Sequence, residues 1–89
     1  MGFFDSLFAK ALPMTISDLD YKVSTRESTG FDSDDFAIKM NQIAKGIRSL
    51  DGSNRDKVRR GLQSLARNDK LYSEERRQVE AVLDMLRRY

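Results

Sequence analysis

Beyond residue 30 the apolar positions of this chain recur with the period of a helix. Phe36, Met40, Ile43, Ile47 and Leu50 follow one another at alternating steps of four and three, with Ala37 and Ala44 alongside. That spacing keeps side chains on one helical face and predicts a helix over about 33–50. Val58, Leu62, Leu65 and Ala66 predict a second helix over about 54–68, and Val79, Val82, Leu83 and Leu86 a third from 73 to the end. The breaks between them carry stop and start residues. Asp51-Gly52 suits a helix end with Gly52 in the left-handed position, and Ser53 with Asp56 has the spacing of a capping box. Ser73 is the expected N-cap of the third helix, with Glu74 and Glu75 in its first turn.

The first thirty residues read differently. Gly2 to Leu12, closed by Pro13, places Phe4, Leu7, Phe8 and Ala11 on one face of a helix, with Phe3 and Leu12 flanking. Leu19, Tyr21 and Val23 then alternate with polar residues, the period of a half-buried strand, and no second strand is visible to pair with it. The expected architecture is therefore mainly all-α: a small three-helix bundle over 31–89, preceded by an N-terminal amphipathic segment and an extended arm over 1–30.

Composition narrows the function. The chain has 89 residues, no histidine and no cysteine, so it lacks the commonest general base, the commonest metal ligand and the thiol nucleophile. No phosphate-binding, dinucleotide-binding or nucleophile-elbow motif is present. Asp32, Asp34 and Asp35 lack the Gly and distal Glu of a calcium loop, and instead suit the start of a helix. Catalysis, a metal, a cofactor and a small-molecule substrate are not expected. No apolar run nears the roughly 20 residues that cross a bilayer, and the absence of cysteine fits a reducing compartment. A cytoplasmic location is the expectation.

Two surfaces carry the functional expectation. The aromatic segment with Phe3, Phe4, Leu7 and Phe8 can pack on its own bundle, fill a partner's groove or lie at a membrane interface. Pro13 disfavours a helical Leu12 and sets the segment apart, so docking on another protein or on a second copy of the chain is the reading adopted. Leu19, Tyr21 and Val23 of the arm join it as candidate partner-binding residues. The second surface is basic. Residues 51–89 carry ten basic and seven acidic side chains, against six and seven in residues 1–50. On a helical wheel Lys57, Arg60 and Arg67 lie opposite the apolar stripe, with Arg55 and Arg59 on the flank and only Asp56 to compensate. This face, with its glycine-containing turn, is the alternative: a nucleic-acid-binding regulator resembling a helix-turn-helix in outline. Arg76, Glu80, Asp84 and Arg88 of the third helix form a mixed series expected of a solvated face. The leading expectation is a small non-enzymatic helical interaction module acting as an adaptor, inhibitor or assembly subunit. A peripheral membrane protein anchored by residues 2–12 is the third reading.

Overall fold

The computed structural model describes residues 2–88, and side chains from Lys10 to Arg88. Five α-helices run through this range: α1 (Gly2–Ser24), the single turn α2 (Arg26–Thr29), α3 (Ser33–Gly46), α4 (Gly52–Ala66) and α5 (Ser73–Arg88), with a 3-10 turn Ile47–Ser49 after α3. The chain is all-α over the described residues. The wall of the bundle has four long helices, however, and not three.

The expected arm does not exist. Residues 19–24 complete α1, which passes through Pro13 without a break. The reason lies in a stripe that the strand-like alternation hides. Leu12, Ile16, Leu19 and Val23 step by four, three and four, and all four are buried. Pro13 in a helix interior costs about 3 kcal/mol. Each of the four buried side chains contributes about 1.5–3 kcal/mol, so burial wins. Tyr21, the third member of the alternation, points out to solvent.

Chain reversals differ in detail from the expected ones. Gly30 (φ 73°) is the only left-handed residue among those described, and it ends α2 by donating its N–H to the Arg26 carbonyl at 2.8 Å. Gly52 has ordinary dihedrals and opens α4, whose N-cap is Asp51, accepting the Asn54 N–H at 2.9 Å. The Ser53–Asp56 box therefore gives way to a cap two residues earlier. Asp32 caps α3 as expected, accepting the Asp35 N–H at 2.9 Å. α3 itself ends at Gly46 and tightens into the 3-10 turn before reaching Leu50.

Packing follows the stripes. α1 lies against α3 and α4, and α5 closes the other side against the same two helices. Hydrogen bonds give the directions. Ile16 faces Gly61 while Asp20 and Ser24 meet Asn68, so α1 and α4 run parallel. Ser33 and Glu75 meet at the starts of α3 and α5, and Arg55 reaches Leu86 at the end of α5, so α5 is parallel to α3 and antiparallel to α4. The core joins Phe36, Met40, Ile43 and Ile47 to Val58, Leu62 and Leu65, to Val79, Val82 and Leu86, and to the α1 stripe.

One glycine fixes how closely α1 and α4 approach. A Cβ on Gly61 would stand 3.0 Å from Ile16 Cγ2, inside ordinary contact distance. Ile16 is fully buried and has little room to yield. Gly61→Leu is therefore expected to lower stability by about 1–3 kcal/mol, despite leucine's better helix propensity. Urea unfolding of the purified variant measures it, and an unchanged midpoint would contradict the close packing.

Candidate interaction surfaces

The fold first disposes of two charges that the sequence leaves unassigned. Arg26 and Glu75 are 6% and 1% exposed. They form a two-pronged pair, Nη1 donating to Oε1 at 2.7 Å and Nη2 to Oε2 at 3.0 Å. Arg26 also donates to the carbonyls of Lys70 (3.1 Å) and Phe31 (3.3 Å), and its guanidinium stacks on the Tyr72 ring, 3.9 Å from the centroid. Glu75 accepts further bonds from the Tyr72 N–H and the Ser33 hydroxyl, each at 2.9 Å. Burial pushes the Glu75 carboxyl up. The Arg26, Tyr72 and Ser33 hydrogen bonds outweigh burial and hold it below the usual carboxylate value. The bond to Glu75 raises Arg26 against the opposing effect of burial. Both groups are thus locked in their charged forms, as a structural clamp between α2 and α5.

The sequence did carry a signal for this pair. Arg26 continues the Leu19–Val23 stripe at the next step of three, and Glu75 precedes Val79 by four on the inward stripe of α5. A charge on an apolar stripe demands a partner. Which partner is a tertiary fact, 49 residues away.

The candidate docking residues are dispersed. Leu19 and Val23 are buried in the chain's own core and present no docking surface, whereas Tyr21 is 67% exposed. The side chains of Phe3, Phe4, Leu7 and Phe8 lie outside the described residues, although their backbone belongs to α1. Met14, 77% exposed, lies seven residues before Tyr21. Two turns of helix bring these two side chains within about 20° of one line, on the side of α1 opposite its buried stripe.

The basic face of α4 is partly engaged within the chain, with one carboxylate, Asp56, serving two of its arginines. Arg59 and Arg60 both pair with Asp56, the latter at 2.6 Å. Arg55 turns inward and donates to the Leu86 carbonyl at 2.5 Å, tying the start of α4 to the end of α5. Lys57 and Arg67 remain exposed. On α5, Arg76 is not solvated as expected. It donates to the Ala66 (3.0 Å) and Asn68 (3.1 Å) carbonyls and caps the end of α4. Arg67 instead shares an open groove between α4 and α5 with Arg77 and Arg87, two arginines outside the expected basic face. Helix adjacency creates this grouping, and no pattern within one helix reveals it.

Among the described residues no group of three or more His, Cys, Asp or Glu side chains is placed to hold a metal ion, and no helix is long and apolar enough to cross a membrane. Comparison with protein-family models, with curated proteins and with solved structures finds no match to this chain.

The clamp sets a pH dependence. The folded Glu75 pKa lies below the ordinary 4.5. Its stabilising contribution is therefore full above about pH 4.5 and is lost as pH falls through the lower folded value. Glu75→Ala leaves a buried guanidinium unpaired and is expected to cost about 3–5 kcal/mol at neutral pH. The double replacement Arg26→Met with Glu75→Leu should recover most of that loss and flatten the acid limb. Chemical denaturation from neutral to acid pH measures both, and equal losses in single and double variants would contradict the assignment.

Proposed function

We propose that this protein is a non-enzymatic helical interaction module, an adaptor, inhibitor or assembly subunit, that docks another protein or a second copy of itself through the outward face of α1. The observation that carries the reading is the placement of apolar side chains on both sides of that helix. Leu12, Ile16, Leu19 and Val23 face the core, while Met14 and Tyr21 stand on the opposite side in solvent. A surface helix normally shows one apolar stripe, and here two large apolar side chains also share a line on the outer face. α1 also has the length for it. Its 23 residues span about 34 Å, against about 21–24 Å for the 14–16 residues of α3, α4 and α5. Lys10, Ser17 and Asp18 are exposed on the same helix, giving the apolar pair the polar surround usual for an interface. The lack of histidine and cysteine agrees with a role in binding.

The test is a double variant, Met14→Lys with Tyr21→Lys, compared with the wild type by sedimentation velocity over a range of concentrations. Both side chains are solvent-exposed, so the thermal midpoint should stay close to that of the wild type, within about 0.5 kcal/mol of stability. The wild type is expected to self-associate and the variant to remain monomeric. A monomeric wild type assigns the face to a different protein. A variant that associates as strongly as the wild type defeats the α1 reading.

A further inference from the structure

α4, its C-cap Arg67 and α5 hold eight of the chain's arginines, and five of these have evident partners. Arg55 bonds the Leu86 carbonyl, Arg59 and Arg60 share Asp56, Arg76 caps α4, and Arg88 pairs with Asp84 at 3.1 Å. The side chains of the remaining three, Arg67, Arg77 and Arg87, make no hydrogen bond or ion pair among the described residues. All three line one open groove, of about 720 Å3, between the two helices. Asp84 lies in the same groove but is already engaged by Arg88, which leaves Glu80 as the single opposing charge.

We propose that this groove seats an acidic amphipathic helix of a partner protein, with a carboxylate at each end and apolar residues between. The proposal deepens the reading of the chain as an interaction module and names the chemistry of what it takes. Its geometry follows from the helices. Arg77 and Arg87 are ten residues apart, about 15 Å along α5. The antiparallel α4 brings Arg67 to the Arg77 end, as the bond from Arg76 to the Ala66 carbonyl shows. The floor between the two basic poles includes Ala66 and Leu83, half-buried and packed on the core. A compact anion cannot bridge poles this far apart. A nucleic-acid strand could span them, but no aromatic side chain lines the groove for bases to stack on. A helix can do so directly. Residues i and i+11 lie about 16 Å apart within about 20° of one face, with i+4 and i+7 between them. Glutamates at i and i+11 then meet guanidinium forks suited to carboxylates, and leucines at i+4 and i+7 meet the floor. Glu80 stands between the poles, nearer Arg77, where it repels an acid and so selects against uniformly acidic segments.

The test measures fluorescence anisotropy of a labelled, alanine-based helical peptide carrying Glu at i and i+11 and Leu at i+4 and i+7, titrated with the full-length protein. Controls are the same peptide with Lys at both ends and a labelled single-stranded oligonucleotide. The Glu peptide is expected to bind, the Lys peptide not to, and the oligonucleotide to bind more weakly. Arg77→Gln with Arg87→Gln should weaken the Glu peptide at least about tenfold while circular dichroism stays unchanged, and Glu80→Gln should not weaken it. Equal binding of Glu and Lys peptides, tighter binding of the oligonucleotide, or a double-Gln variant that binds like wild type would each overturn the proposal. The Met14→Lys, Tyr21→Lys variant should bind the Glu peptide normally. Loss of binding there would place the peptide on α1, overturning the groove while leaving the α1 reading intact.

Discussion

Arg26 and Glu75 close the bundle at the end where α1 hands over to α2 and where α3 and α5 begin. Moving two charges out of water costs several kcal/mol each, and their mutual attraction offsets that only when further hydrogen bonds satisfy the groups. Here both Glu75 oxygens accept two bonds each, and four of the five guanidinium N–H groups donate. The guanidinium spends its donors on both Glu75 oxygens and on the Phe31 and Lys70 carbonyls, and its face lies on Tyr72. Glu75 in turn receives Ser33 and the Tyr72 amide. One residue pair thereby fixes where two loops and the starts of two helices sit relative to α1. Hydrophobic stripes alone would allow α5 to slide along its neighbours by a turn. A two-pronged ion pair tolerates no such slip.

A second polar tie reinforces the same end. Asn68 donates to Asp20 at 2.7 Å and to Ser24 at 2.9 Å, and its side-chain oxygen accepts the Lys70 amide at 2.9 Å. The linker between α4 and α5 is thus bonded to α1, and the opposite end of α4 is held by Arg55 on the Leu86 carbonyl. Arginines that look like a basic face on a wheel prove in part to be mechanical. The two surfaces to which we assign docking lie on α1 and between α4 and α5, and α1 and α5 occupy opposite sides of the α3 and α4 pair. Neither surface obstructs the other.

Sequence alone disclosed α3, α4 and α5 because each presents one uninterrupted apolar stripe and a polar start. Asp32, read as a helix-opening acid, is the N-cap of α3. α1 was obscured by a coincidence of periods. Leu19 and Val23 are four apart, which is a step of a helix and also two steps of a strand, and the apolar Tyr21 between them tipped the balance toward the strand. Pro13 added a false boundary. The surfaces were legible only in part. A wheel shows which residues of α4 leave the core, but not that Asp56 is shared by two of them. Nor does it show that Arg67 has Arg77 and Arg87 as neighbours, which depends on α5 lying antiparallel alongside. Glu75 resembles an ordinary first-turn acid because its partner is more than half the chain away.

The parallel pairing of α1 with α4 has a consequence for how the chain is made. Ile16 is covered by the turn of α4 around Gly61, and α4 is synthesised well after α1. At about 5–20 residues per second the ribosome takes about 2–9 s to supply that cover. During this interval α3 alone can shelter the apolar side of α1, and the other flank stays open to water, to chaperones and to neighbouring nascent chains. The buried stripe of α1 is thus synthesised before either of the long helices that cover it and waits for its complete set of neighbours.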